Sequence, residues 1–249
     1  MTKIFSQILA NLPYGVTNSI LDFVQEKLIE NWDERLLGLR ELPIKSVIDL
    51  GANKGQSSQK FSSIFPSAKI YAFEPTEGAY QKLSKLAQKN PLIIPFNLAL
   101  GDEEKEIEFY EHLCYSQSSS ILKNTKFHEA DNPIVKEQKL VRIQQLTLDQ
   151  VISSLPSPLE PDILVKIDVQ GYEDRVIKGG IEVLKKAKVC IAEISVDVYY
   201  EEQASFEKIF DLLRQLGYSY FGNLDQVISK TGKIQYLDAI WLKRDILQN

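Results

Sequence analysis

From residue 45 onward, short apolar runs alternate with amphipathic stretches along the chain. The runs at 45–50, 69–73, 92–98, 162–168 and 188–195 are short and continuously apolar, the pattern of strands buried on both faces. Between them apolar residues recur at helical spacing near 56–65, 76–89, 172–187 and 202–216. This order predicts an α/β fold: a Rossmann-like, doubly wound, mostly parallel sheet in three αβα layers. Upstream, Ser19 with Asp22 makes a capping-box-like start, and Ile20, Phe23, Val24, Leu28, Trp32, Leu36 and Leu37 form one stripe. They predict an amphipathic helix over 18–38 within an N-terminal extension of residues 1–43. Leu42-Pro43 then breaks the chain before a domain of residues 44–249.

Two stretches depart from simple alternation. An insertion at about 105–145 carries the alternating runs Lys105–Tyr110 and Lys139–Ile143, expected to pair as extra antiparallel strands. Between them His112, Ser116, Ser118, Ser119, Ser120 and His128 read as a polar loop, and a long loop in a compact domain is usually functional or disordered. A solvated position is the expectation for its histidines, with a base near neutral pH as the rival role for His112. At the C-terminus, Tyr218–Phe221 and Tyr236–Leu242 are joined through Ser229-Lys-Thr-Gly232, which predicts an antiparallel hairpin.

Apolar residues make up 44% and charged residues 25% of the 249, the balance of an ordinary globular protein. A net charge of −5 argues against a nucleic-acid partner, which calls for a basic face. No apolar run reaches the length of a membrane span, so no membrane partner is expected. The first residues lack a convincing cleavage site, and Cys114 and Cys190 form no metal-type pair. A reducing cytoplasm fits this pattern, and a homo-oligomer is left open.

The first chemical signal is Val47-Ile-Asp-Leu-Gly-Ala-Asn-Lys-Gly55, a strand ending on a glycine turn before a helix. Gly51 permits the turn, and Gly55 is expected to let the helix begin close to a ligand. A dinucleotide loop reads G-x-G-x-x-G, whereas here Asn53 and Gln56 replace its second and third glycines. Asn tolerates a left-handed backbone, but its side chain narrows the space for a pyrophosphate. Asp49, directly before the first glycine position, suits a cofactor with a cationic amino-acid tail better than a dianion. Glu74 closes the second strand, where a carboxylate accepts both hydroxyls of a ribose diol. Together these features favour S-adenosylmethionine over a nicotinamide cofactor.

The second signal is Ile163-Leu-Val-Lys-Ile-Asp-Val-Gln-Gly-Tyr-Glu173. Lys166 and Asp168 share one strand face, and Asp168 falls at the carboxyl end, where open α/β sheets bind ligands. Asp168, Glu173 and Glu193 are the expected partners of the lysine; the plain alternative is an ion pair that only closes the sheet. Asp168, Glu193 and Asp197 are candidate ligands for a divalent metal. The rival reading is a metal-free site in which one of them is a general base.

With these residues assembled, the chain resembles the FkbM-like family of class I methyltransferases. The resemblance rests on D-L-G-A-N-K-G-Q-S-S (49–58), F-E-P (73–75), N-L-A-L-G-D (97–102), S-S-S (118–120), K-I-D-V-Q-G-Y-E (166–173) and E-I-S (193–195). It implies that Asp49, Gly51, Ala52, Asn53, Gly55 and Ser58 surround the methionine and ribose parts of S-adenosylmethionine. It places Glu74 at the ribose, Asn97 and Ala99 at the adenine and Asp168 beside the sulfonium, with Pro75 also among the cofactor-binding residues. The family usually has Glu where this chain has Gln170. The implied reaction is O-methylation of a small-molecule hydroxyl acceptor, a sugar or natural product, with Asp168 as first choice of base and Lys166 and Glu193 in support. The N-methyltransferase signature [DN]-P-P-[YF] is absent after the fourth parallel strand. The rival classes are a catalytically idle cofactor-binding module and a nicotinamide-dependent oxidoreductase.

Overall fold

The computed structural model describes Ile20 and residues 38–246. The expected N-terminal helix therefore lies, apart from its Ile20 and Gly38, outside the described residues. The chain runs β1 (Ser46–Leu50), α1 (Gln56–Ile64), β2 (Lys69–Phe73), α2 (Glu77–Lys89), β3 (Ile93–Phe96), β4 (Ala99–Gly101) and β5 (Lys105–His112). It continues with α3 (Lys126–Asp131), β6 (Gln138–Thr147), α4 (Leu148–Ser153), β7 (Ile163–Ile167), α5 (Glu173–Gly179) and α6 (Ile181–Lys186). The last elements are β8 (Val189–Ser195), α7 (Phe206–Gln215), β9 (Tyr218–Ile228) and β10 (Ile234–Lys243).

Seven strands form one sheet in the order β3-β2-β1-β7-β8-β10-β9. All neighbours from β3 to β8 are parallel, and β10 runs antiparallel to both β8 and β9. The central strands are continuous apolar runs because both of their faces are covered. Val47, Ile48, Leu50, Leu164, Val165 and Ile167 are wholly buried, and each contributes about 2 kcal/mol of apolar burial. From β1 the sheet is built outward in one direction through β2, and the chain later returns to β1's other edge with β7. That reversal opens a crevice at the carboxyl ends of β1 and β7, the place where such sheets bind ligands. No helix among the described residues is long and apolar enough to cross a membrane.

The structure departs from the sequence pattern in three places. The apolar run at 92–98 is not one strand: β3 stops at Phe96, and the chain crosses into a second, three-stranded sheet of order β4-β6-β5. There β5 and β6 pair antiparallel as expected, while β4 adds a short parallel edge. The helical pattern at 172–187 splits at Gly180 into α5 and α6. A Cβ on Gly179 would lie 1.9 Å from the Gly101 carbonyl oxygen, so α5 packs directly on the backbone of β4. Finally, the segment expected as a polar loop is ordered by α3, which is capped by the Thr125 side chain. His112 and His128 are buried there, not solvated.

Candidate active site

The β1–α1 turn is fixed by backbone contacts to its neighbours. Gly51 and Ala52 both donate N–H bonds to the Phe73 carbonyl, at 3.1 and 2.9 Å. Gly51 has φ +76°, and a Cβ there would lie 1.8 Å from the Asp168 carbonyl oxygen. Only glycine fits at this close approach of two backbones. Asn53 takes the left-handed conformation at φ 49°, and its N–H donates to Glu74 Oε2 at 2.9 Å. Glu74 Oε1 also accepts from the Thr76 N–H at 2.9 Å. Burial outweighs these bonds and raises the Glu74 carboxyl to about 7.

Beneath the turn, Asp49 is fully buried opposite Lys166 in the β1–β7 register. Its Oδ2 accepts from Ser57 Oγ at 2.7 Å and Ser58 Oγ at 2.6 Å. Its Oδ1 accepts no hydrogen bond and stands 3.8 Å from Lys166 Nζ. The Lys166 ammonium compensates the burial of this oxygen in place of a hydrogen bond. Lys166 reaches Asp168 Oδ2 at 2.9 Å, so its partners are Asp168 and Asp49, not Glu173 or Glu193. Burial alone would lower the Lys166 pKa, but the carboxylates of Asp168, Asp49 and Asp238 outweigh it and keep the ammonium charged.

At the carboxyl ends of β7 and β8 a single amide joins two acids. Gln170 Nε2 donates to Asp168 Oδ1 at 2.8 Å and to Glu193 Oε1 at 2.7 Å. Its Oε1 accepts from the Tyr200 hydroxyl at 2.8 Å, and its carbonyl accepts from Ser120 Oγ at 2.7 Å. Burial first, then the charges of Asp168, Asp238 and Glu173, push Glu193 well above the usual carboxylate range. Asp238, facing Glu193 across the β8–β10 pair, is raised to about 7, mainly by burial. Glu173 caps the turn after β7 by accepting from the Val169 and Gly171 N–H groups at 3.2 and 3.0 Å.

One cavity of about 900 Å³ connects the β1–α1 turn to this acid cluster. Gly51, Ala52, Asn53, Glu74, Pro75 and Ala99 line one end of it, while Lys166, Asp168 and Glu193 line the middle. Several expected residues sit elsewhere. Asp49 and Ser58 lie behind the turn, bonded to each other. Gly55 faces α2, where a Cβ would meet Leu86 at 2.5 Å, so its lack of a side chain serves packing against that helix. Asn97 points away from the cavity and ties down the turn after β2, donating to the Glu74 and Pro75 carbonyls at 3.0 Å each. Leu98 takes the place on the cavity wall.

The metal reading finds no supporting geometry. An N–H donor occupies the space between Asp168 and Glu193, and Asp197 is ion-paired to Lys233 on the C-terminal hairpin. Among the described residues no cluster of His, Cys, Asp and Glu is arranged to hold a metal. The base reading for His112 is also overturned. Burial, and for His112 the neighbouring His128, lower both rings to about 4. Asn124 bridges them, with Nδ2 at 3.1 Å from His112 Nε2 and Oδ1 at 3.1 Å from His128 Nδ1.

The cavity's far end, where Tyr115, Tyr199, Tyr236, Asp225 and Asp238 stand on the wall, is only faintly marked along the chain. The usable signal was Asp238, an acid inside an otherwise apolar strand. The Ser118–Ser120 triplet proves to be a tether: Ser118 O accepts from Tyr200, Ser120 holds Gln170, and Ser119 Oγ accepts from the His112 N–H.

The model of the methyltransferase FkbM domain matches residues 49–220. The 2-O-methyltransferase NoeI of Sinorhizobium fredii is 27% identical over 184 residues, which cover 72% of this chain and 75% of that protein. The hexuronic acid methyltransferase AglP of Haloferax volcanii is 27% identical over 151 residues, 60% of this chain and 56% of that protein. A solved structure of an FkbM methyltransferase from Methylobacillus flagellatus aligns with a TM-score of 0.48 and 13% identity, over 80% of this chain and 44% of its own. With 172 of its residues inside that domain, the chain belongs to the FkbM family of methyltransferases, which draw the methyl group from S-adenosylmethionine.

Proposed function

We propose that the chain methylates a hydroxyl of an uncharged sugar or sugar-bearing natural product. The observation that carries this reading is the single cavity running from the cofactor turn to the acids of β7, β8 and β10. Bound at the turn, S-adenosylmethionine supplies an electrophilic methyl on a sulfonium sulfur. Gly51, Ala52 and Asn53 would face its methionine and ribose parts, with Asp49, Ser58 and Gly55 shaping the turn from behind. Glu74 would accept the ribose hydroxyls, and Pro75, Leu98 and Ala99 would flank the adenine. Asp168, held by Lys166, would stand where cofactor and acceptor meet. The chain's own tasks are alignment of the acceptor oxygen, exclusion of water and removal of the hydroxyl proton.

The far end of the cavity favours an uncharged acceptor. Carboxyl oxygens of Asp225, Asp238 and Glu193 can accept from sugar hydroxyls, and Tyr115, Tyr199 and Tyr236 offer ring surface to a sugar's C–H face. Lys166, the lysine beside these acids, is already engaged by Asp168 and Asp49. A carboxylate on the acceptor would bring a further negative charge to acids whose proton affinity burial and mutual repulsion already raise. NoeI is named for a 2-O-transfer and AglP for a hexuronic acid, and the acid lining sides with the former kind of acceptor. The test is transfer of labelled methyl to a panel of neutral methyl glycosides and methyl glycosiduronates, with and without chelator. Labelling of neutral glycosides, indifferent to chelator, is expected. Labelling of uronates alone, or no binding of S-adenosylhomocysteine, would sink the reading.

A further inference from the structure

We propose that Glu193, not Asp168, takes the acceptor's hydroxyl proton, and that Gln170 is the positioning residue that holds Glu193 for the task. The inference rests on the methyl-transfer reading and deepens it. Asp168 has both carboxyl oxygens engaged, Oδ2 by the Lys166 ammonium at 2.9 Å and Oδ1 by the Gln170 amide at 2.8 Å. Its carbonyl oxygen stands where a Cβ of Gly51 would be, so the whole residue is built into the floor of the cofactor turn. With one oxygen on a cation and the other on an amide, Asp168 is held in place as a structural anchor of the turn.

Glu193 differs on each count. It lines the same cavity, forms no ion pair with the described residues, and binds the Gln170 amide through Oε1. Its Oε2 accepts no hydrogen bond from the described residues. The hydroxyl acceptor is a weak acid, and the raised proton affinity of Glu193 brings the two closer in strength. Neighbouring groups are less fit. Lys166 is kept charged, the His128 ring is lowered to about 4, and the hydroxyls of Tyr199 and Tyr200 are pushed up by burial. Asp238 is the nearest rival, but no hydrogen bond from the described residues orients it.

Gln170 is held rigidly in this position. Its backbone is left-handed at φ 56°, and Ser120 and Tyr200 fix it from the insertion and from the loop after β8. The amide offers donors to two acids at once, which a Glu in its place could not do while ionised. The step balances simply. The acceptor oxygen bonds to the methyl carbon as the carbon–sulfur bond breaks with its electron pair to sulfur, and the O–H proton passes to the ionised Glu193.

The experiment compares E193Q, D238N and Q170L with the unaltered chain in two measurements. The first is kcat and KM with S-adenosylmethionine and whichever methyl glycoside the chain turns over; the second is S-adenosylhomocysteine affinity by calorimetry. For E193Q a fall in kcat of roughly 100- to 10,000-fold is expected, with S-adenosylhomocysteine affinity within about threefold. Q170L should lose about tenfold or more in kcat, a misplacement effect, again with little change in affinity. Formate should restore part of the turnover of E193A by standing in for the missing carboxylate. A kcat for E193Q near that of the unaltered chain, a larger loss in D238N, or collapse of S-adenosylhomocysteine affinity in E193Q would each overturn the assignment. If E193Q does not fold, an unchanged kcat in Q170L overturns it. Inactivity of the unaltered chain would instead strike the methyl-transfer reading itself.

Discussion

The Glu74 carboxyl links cofactor affinity to pH, and the size of the link follows from its surroundings. The side chain is 5% exposed, and burial raises its pKa to about 7 despite bonds from Asn53 and Thr76. To accept two ribose hydroxyls it must be ionised. At pH 8 about ten in eleven carboxyls are ionised, and at pH 6 about one in eleven, so affinity for S-adenosylhomocysteine should fall about tenfold, or about 1.4 kcal/mol. Calorimetry at pH 6 in buffers of different ionisation enthalpy should show release of close to one proton on binding. Asp238 and Glu193 share the cavity and titrate too, so the decisive quantity is the difference between the unaltered chain and E74Q. E74Q should bind roughly 10- to 150-fold more weakly at pH 8, as for loss of a charged hydrogen-bond acceptor, and should lose the steep pH dependence. The same shift has a stability counterpart. A folded pKa of about 7 against the ordinary value of 4.5 favours the folded chain below pH 4.5, an advantage lost as pH rises through 7. At pH 8 the native chain gives up about 3 kcal/mol in this way, so E74Q should melt higher than the unaltered chain at pH 8 and not at pH 4.5. A variant that kept the full pH slope of binding would refute the role of Glu74, whatever its effect on melting.

Other consequences are equally direct. Gly51→Ala puts a methyl 1.8 Å from the Asp168 carbonyl oxygen; the turn must shift, and calorimetry should show at least about a tenfold loss of S-adenosylhomocysteine affinity, a loss under twofold contradicting the close approach. Lys166→Met strands Asp49 and Asp168 and should cost about 3–5 kcal/mol in urea unfolding; a change below about 1 kcal/mol would mean the acids have other compensation. His112 and His128 have folded pKa values of about 4 against 6.5 for an ordinary histidine, so the stability of the neutral rings is present above 6.5 and lost as pH falls towards 4. By that shift alone H112L should lose about 3 kcal/mol less than the unaltered chain between pH 7.5 and pH 4, and equal losses would rule out a buried, neutral His112.

What the sequence made legible is what depends on local pattern. β1, β2, β7 and β8 announce themselves as continuous apolar runs because both faces of a parallel sheet are covered. Gly51 and Asn53 announce the turn because few residues accept a positive φ. The C-terminal hairpin was visible from its turn residues. The misreadings come where a tertiary contact overrides local pattern. β4 is only Ala99–Gly101, too short to show a period, and exists because α5 lays Gly179 on it. The helix at 172–187 breaks at adjoining glycines, Gly179 packed on β4 and Gly180 against Leu148. His112 and His128 look polar in a polar stretch, but Asn124 satisfies each ring once and lets both be buried.

The two ends of the cavity differ in legibility for the same reason. The cofactor end is one strand, one turn and the end of the next strand, so its chemistry is contiguous and motif-like. The far end draws Tyr115 from the insertion, Tyr199 from the loop after β8, and Asp225 and Asp238 from the hairpin, and no spacing along the chain marks such a set. Gln170 sits where the two ends meet. As a sequence feature it was only a missing charge beside Asp168. In the fold the missing charge is what permits a neutral donor between Asp168 and Glu193, two acids that repel each other. An ionised Glu at that position would add a third like charge to a cluster whose lysine, Lys166, is already committed to Asp168 and Asp49, so the neutral amide and the geometry of the acids have to be understood together.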